Sequence, residues 1–364
     1  MPVLQQVPLP EEILAMEPQA RLDRIREIRA RLGRRLLVLG HHYQRDEIIQ
    51  FADARGDSLK LARHVPERPD AENIVFCGVH FMAESADILA APHQRVVLPD
   101  LNAGCSMADM AGTEQVEACW EFLTARFGDR FLPVTYINST AAIKNLVGRA
   151  GGSVCTSTNC PRVLEWAFAQ GKTVLFLPDQ HLGRNTAFAM GVPLEAMCVW
   201  DPWKEGGGLP AEEFARARII LWKGHCSVHQ RFTLKQVEAF RKADPQVRVV
   251  VHGECSFDVV QAADVWGSTE KIIRTVREAP AGTHFVVGTE INLVHRLAHE
   301  NPEQRVEMLD PVVCVCSTMY RIDPPHLLWT LESILAGEPV NVIRVPAEIK
   351  QGARLALERM LQFQ

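Results

Sequence analysis

The residues best equipped for chemistry are ten cysteines in a chain of 364 residues: Cys77, Cys105, Cys119, Cys155, Cys160, Cys198, Cys226, Cys255, Cys314 and Cys316. In a reducing compartment such a thiol is either a small buried hydrophobe or a metal or catalytic group. No pair has the spacing Cys-x-x-Cys, which counts against a zinc ribbon, a thioredoxin-type pair and a ferredoxin-type cluster run. Metal ligands must therefore converge from distant segments. Cys105 lies in the glycine-containing loop LPDLNAGCSMAD, where a thiolate and neighbouring N–H groups can reach a metal or an anion. Cys226, in WKGHCSVH, stands between His225 and His229. That set suits a zinc site, a cluster ligand with a hydrogen-bonding neighbour, or a nucleophile with its base. Cys314 and Cys316 are two apart in the strand-like run VVCVC, so at most one faces a given site, and Cys314 is assigned to the core. Cys77, Cys119, Cys155, Cys160 and Cys198 read as packing residues, with Cys255 left open beside Glu254.

His252 and Glu254 in VVVHGEC alternate at the end of an apolar run, a spacing that lets both reach one face for general acid–base work. Gly267, Ser268 and Thr269 open a helical stretch, an arrangement suited to a carboxylate or phosphate and shared by ordinary helix caps. His93, His181, His295, His299 and His326 are assigned to surface or packing.

These residues need elements to hold them. Short apolar runs alternate with helical segments throughout: 34–40, 73–78, 95–100, 131–137, 152–156, 173–179, 218–222, 246–252, 283–288 and 312–316 are predicted strands. Between them TLKQVEAFRKAD, STEKIIRTVREA and TEINLVHRLAHE read as helices, the first two opened by a capping hydroxyl, and Asp57–Ser58 as the cap of SLKLAR. The rhythm predicts an α/β fold with parallel sheets. Residues 201–213, DPWKEGGGLPAEE, read as a flexible loop or insertion. The reactive types cluster just past predicted strands, where open α/β sheets bind ligands: His41, His42, Tyr43, Cys105, Asn138, Ser157, Cys226, His252, Glu254 and Cys316.

The composition bounds the rest. A net charge of −5 with no basic block argues against a nucleic-acid surface, while 47% hydrophobic and 23% charged residues describe a globular chain long enough for two or three units. There is no run of 18 apolar residues, and MPVLQQVPLPEE lacks the build of a signal peptide, so a cytoplasmic protein with no membrane span is expected.

Taken together, HHYQ at 41–44, GDSLKLA at 56–62, CGVHFMAESADIL at 77–89 and LPDLNAGCSMAD at 98–109 resemble the quinolinate synthase family. So do VTYINS at 134–139, VCTSTN at 154–159, GHCSVH at 224–229, VHGEC at 251–255, GSTEKII at 267–273 and CSTM at 316–319, in the family's order across roughly residues 35–325. The resemblance implies condensation of iminoaspartate with dihydroxyacetone phosphate to quinolinate, with loss of phosphate and two waters, for NAD biosynthesis. It implies a [4Fe–4S] cluster held by Cys105, Cys226 and Cys316 with one iron open as a Lewis acid. It also implies substrate binding by His41, Ser58, Tyr136, Asn138, Ser157, His252, Glu254 and Thr269, and catalytic roles for Tyr43, Tyr136, His252 and Glu254. The fold it implies is three similar αβα (Rossmann-like) units around a pseudo-threefold axis, with site and cluster at the centre: residues 1–110, 111–227 with an insertion near 180–215, and 228–364. An L-aspartate oxidase is the implied transient partner. The chain departs from the family at Gly253, where the family often has proline, and at an extra AGG at 150–152. The competing readings are a zinc enzyme of another reaction class, using Cys226 with His225, His229 or His252, and a non-catalytic cluster-bearing sensor.

Overall fold

A computed structural model describes residues 6–312 and 315–363. Its strands, in chain order, are β1 (Leu36–His41), β2 (Ala54–Gly56), β3 (Asn73–Cys77), β4 (Arg95–Val97), β5 (Phe131–Tyr136), β6 (Ser153–Cys155) and β7 (Thr173–Leu177). There follow β8 (Met197–Trp200), β9 (Ile219–Trp222), β10 (Arg248–His252), β11 (Val265–Gly267), β12 (His284–Gly288), β13 (Arg305–Met308) and β14 (Val342–Ile343). They form three sheets, ordered β14-β4-β3-β1-β2, β6-β5-β7-β9-β8 and β11-β10-β12-β13. Every pairing is parallel except that of β14 with β4. β1, β3, β5, β7 and β9 are buried along their whole length, as parallel strands covered on both faces must be, and this is why they read as unbroken apolar runs.

The three sheets repeat one strand order. The first strand of each lies inside, the second beside it, the third on its other flank and the fourth beyond the third: β2-β1-β3-β4, β6-β5-β7-β9 and β11-β10-β12-β13. The second sheet carries one extra edge strand, β8, which lies within the stretch 180–215 where an insertion is expected. The chain divides into two compact units. One comprises the chain up to Cys105 with Val315–Pro346 and contains the first sheet; the other comprises Ser106 onward through the second and third sheets together with the C-terminal helix from Ala347. Within the latter, the helix Ala347–Gln362 crosses the helix Ala141–Arg149 at Gly148 and Gly352, where a Cβ on Gly148 would stand 1.9 Å from the Gly352 carbonyl oxygen.

One expectation is corrected, at 312–316. Residues 201–213, read as a flexible loop or insertion, form the turn Glu205–Gly208 and enter the helix Ala211–Arg216: Gly206, Gly207 and Gly208 take φ of 58°, 77° and 80°, and a Cβ on Gly207 would meet the Trp200 ring at 2.4 Å. The Asp201 N–H donates to the Gly207 carbonyl at 3.0 Å, and the Asp201 carboxylate pairs with Lys223 at 2.6 Å. The strand predicted at 312–316 is replaced by β13, because the third sheet takes the alternating segment Arg305–Met308 as its edge while Val312, Val315 and Cys316 lie outside any strand. Residues 313–314, and with them the core assignment of Cys314, lie outside the described residues.

Candidate active site

The first strand of each sheet ends on a ring-bearing residue: His41 on β1, Tyr136 on β5 and His252 on β10. Each is paired in register with the last residue of the second strand, His41 with Gly56, Tyr136 with Cys155 and His252 with Gly267. Two residues past the first strands stand Tyr43, Asn138 and Glu254, and two past the second strands stand Ser58, Ser157 and Thr269. Cys105, Cys226 and Cys316 follow β4, β9 and β13, each the fourth strand of its sheet. Every predicted site residue thus occupies one of four places, repeated three times.

Local chemistry fixes these positions. In the first unit Asp57 caps the helix Ser58–Glu67 by accepting from the Lys60 N–H at 2.9 Å, which sets Ser58 in the first turn. The Tyr43 N–H donates to His41 Nδ1 at 3.2 Å, and the two rings meet edge to face at 4.8 Å. The same turn recurs in the third sheet, where the Glu254 N–H donates to His252 Nδ1 at 3.3 Å. Both imidazoles therefore carry any single proton on Nε2. The Cys105 and Cys316 segments are tied together by the wholly buried Asp100, which accepts from Arg321 Nε at 2.7 Å. Gln44 joins the same segment through a 3.1 Å bond to the Met319 carbonyl. In the second sheet Asn159 holds the 156–159 turn that presents Ser157, accepting from the Thr156 N–H and donating to the Met360 carbonyl.

The second unit holds the densest chemistry. The Glu254 carboxylate, 4% exposed, accepts from the Tyr136 hydroxyl at 2.5 Å and lies 2.9 Å from His229 Nδ1. His229 stacks on His252 with centroids 4.6 Å apart, and its Nε2 lies 3.2 Å from Thr289 Oγ1. Burial alone would raise the Glu254 carboxyl; the imidazoles of His252 and His229 with the Tyr136 hydroxyl outweigh it and hold the group below the usual carboxylate range. Burial lowers His252 to about 4, which leaves it a neutral donor at Nε2. Asp179, wholly buried, is pushed up to about 8 by burial and by the charge on Glu254. Thr269 Oγ1 is buried with no hydrogen-bond partner among the described residues. Ser157 lines a cavity of about 690 Å³ together with Gly267 and Ser268.

The thiols sort by burial. Cys77, Cys119, Cys155, Cys160 and Cys255 are buried, and burial pushes Cys77 up to about 12 and Cys119, Cys155 and Cys255 well above the ordinary thiol range. Cys255, left open by the sequence, packs among Val251, Val259 and Leu309 in the core of the third sheet. Half-buried Cys198 is raised to about 12, by burial first. Cys105, Cys226 and Cys316 are also half-buried, each in a loop past a fourth strand. The donor atoms of Cys226, His229 and Glu254 lie within 4.8 Å of one another, a set able to hold a metal ion.

The sequence offered His229 as a companion of Cys226, as a zinc ligand or a base; its contact with Glu254 spans 25 residues, and no local spacing announces it. Asp179 and Asn185 were missed altogether. Asp179 follows a predicted strand as the other site residues do, a signal that could have found it.

A buried carboxylate beside a phenol and two imidazoles, with a thiol close enough to share a metal ion, stands at the carboxyl ends of parallel strands, where α/β enzymes bind their ligands. The family model described as quinolinate synthetase A protein matches residues 23–362. The quinolinate synthase of Geobacillus thermodenitrificans is 54% identical over 356 residues, covering 97% of this chain and 96% of that protein. The corresponding enzyme of Acidobacterium capsulatum is 56% identical over 357 residues (97% and 95%), and that of Bacillus subtilis 53% over 356 residues (98% and 96%). The chain belongs to the quinolinate synthase family.

Proposed function

We propose that the protein condenses iminoaspartate with dihydroxyacetone phosphate to quinolinate, releasing phosphate and two waters, within NAD biosynthesis. The observation that carries this reading is the Glu254 carboxylate, anionic and buried between the Tyr136 hydroxyl and the stacked imidazoles of His229 and His252. Ring formation with two dehydrations needs repeated proton removal next to carbonyl or imine carbon and protonation of departing oxygen. Glu254 accepts such protons, and the Tyr136 O–H, already aimed at it, relays or returns them. The Nε2–H of His252 donates to a developing oxyanion without adding a charge. Ser58, Asn138, Ser157 and Thr269 supply neutral donors for two carboxylates and a phosphate, with His41 and Tyr43 completing the set.

Cys105, Cys226 and Cys316 are proposed to hold a [4Fe–4S] cluster. They suit it by being the half-buried thiols at equivalent loops, in contrast to the wholly buried Cys77, Cys119, Cys155, Cys160 and Cys255. When bound, such a cluster supplies an open iron as Lewis acid for a departing hydroxyl. The shared strand order supports three similar αβα units, near residues 1–110, 111–227 and 228–364; their arrangement around a pseudo-threefold axis, with the site at the centre, is part of the proposal. Iminoaspartate is short-lived, so a transient contact with an enzyme that produces it, such as an L-aspartate oxidase, belongs to the same proposal.

The proximity of Cys226, His229 and Glu254 favours one rival, a single zinc ion in an enzyme of another reaction class. The test is quinolinate formation from dihydroxyacetone phosphate and freshly generated iminoaspartate by anaerobically purified protein. Product that vanishes on air exposure is the expected result. No product from protein with its full iron and sulfide sinks the synthase reading, and colourless protein with one equivalent of zinc supports the rival.

A further inference from the structure

Asn185 lies on the helix Gln180–Ala189, 0% exposed, and its amide reaches out of the second sheet's crossover to the first turn after β10. Nδ2 donates to the carbonyl of Gly253 at 3.0 Å and to that of Cys255 at 2.9 Å. These are the two carbonyls that flank Glu254. Both amide hydrogens are committed, and Oδ1 is buried with no partner among the described residues. A flipped amide would set Oδ1 against two carbonyl oxygens, so the orientation is fixed by the network.

The helix that carries this amide is itself held firmly. The Asp179 carboxylate caps it through the His181 and Leu182 N–H groups at 3.1 and 2.6 Å. Gly183 lets it sit against β7 and β9, since a Cβ there would stand 2.7 Å from Phe176 and from Leu221. Phe188 meets Phe257 edge to face at 4.9 Å, just past the clamped turn. The turn needs such a clamp because its centre is glycine, the least restricted residue. Its other tether is the Gly253 N–H, which donates to the Gly267 carbonyl at 3.0 Å.

We propose that Asn185 is a positioning residue for the reaction, fixing the His252-Gly253-Glu254 turn so that the carboxylate stays on the Tyr136 hydroxyl and beside His229. The inference rests on the proposed synthase reading, and wild-type quinolinate formation, run alongside, separates the failure of one from that of the other. Asn185→Ala removes both bonds and should lower kcat by about 10–100-fold, the scale of a misplaced catalytic group, with little change in KM. The discriminating partner is Gly253→Ala. Gly253 is not in the left-handed region, and a Cβ there meets only the Leu182 Cδ1 methyl at 3.1 Å and Trp266 at 3.4 Å, so alanine fits after a small shift and narrows the turn's freedom. Asn185→Ala/Gly253→Ala should recover at least about a third of the log loss in kcat, a coupling that two independent structural defects do not give. Asn185→Leu, which keeps the branched shape and donates nothing, should lose about as much kcat as Asn185→Ala, and it serves as the variant of record should Asn185→Ala not fold. A kcat within twofold of wild type in Asn185→Ala or Asn185→Leu overturns the proposal. So does a loss that Gly253→Ala leaves untouched, since Asn185 would then act only through the stability of the fold.

Discussion

Glu254 meets two opposed demands, burial and charge, and the site reconciles them with the Tyr136 hydroxyl and two imidazoles. Removing the charge while keeping the shape isolates its contribution: Glu254→Gln should lower kcat by about 10²–10⁴-fold with the protein still folded, read by steady-state kinetics beside a thermal melt. Full activity in that variant removes Glu254 as the base. Asp179 meets the same conflict with the opposite outcome. Its carboxyl is raised to about 8, by burial first and then by Glu254, above the ordinary value of the unfolded chain. A group raised in the folded state contributes stability that is present at low pH and lost as pH rises through the folded value. Stability from Asp179 therefore falls between about pH 4 and pH 8. Asn at this cap keeps an acceptor and does not titrate. The melting temperature of Asp179→Asn relative to wild type should rise steadily from pH 5 to pH 8; a difference that is flat with pH refutes the shift.

At the scale of elements, caps and close crossings decide more than hydrophobicity does. Thr233, exposed, caps the helix Leu234–Ala243 in a reciprocal box with Gln236. Thr233→Ala should cost about 1 kcal/mol of stability and leave kcat unchanged, measured by denaturant melts and the quinolinate assay. A change in kcat at unchanged stability would contradict a purely local cap. Gly148 shows the other constraint, since a Cβ would collide with the Gly352 backbone of the C-terminal helix. Gly148→Ala should destabilise by about 1–3 kcal/mol by forcing the helices apart. The strands with unbroken apolar runs were legible in the sequence, as were the caps at Asp57, Thr233 and Ser268. Three edge strands were not: Ala54–Gly56 and Val265–Gly267 are three residues long, and Arg305–Met308 is half polar, so none shows a hydrophobic run. The segment 312–316 has strand composition, yet Arg305–Met308 takes the edge position beside β12, a choice made by tertiary pairing that propensity does not record. The site was legible as residue types past strand ends. Its pairings were not, because Tyr136 with Glu254 spans 118 residues and Asn185 with Gly253 spans 68.

At the scale of the whole molecule, the repetition of one strand order is what turns scattered residues into a set. Each sheet supplies a ring at the end of its first strand, a polar group two residues later, a hydroxyl past the second strand and a cysteine past the fourth. The intervals between Cys105, Cys226 and Cys316 are uneven, 121 residues against 90, and the added strand β8 with the glycine turn after it lies in the longer one, before β9. A cluster drawn from three equivalent places should fail alike whichever ligand is lost. Cys105→Ala, Cys226→Ala and Cys316→Ala, purified anaerobically, should each lose the iron and sulfide content and the brown colour of the wild type. Cys77→Ala and Cys119→Ala remove thiols that burial holds protonated, and should keep iron while losing only stability. If instead Cys226→Ala alone abolishes metal binding, and the metal is one zinc that Glu254→Gln also releases, the adjoining Cys226, His229 and Glu254 are the true ligand set, and the repeated cysteines reflect the repeated fold rather than a shared cofactor.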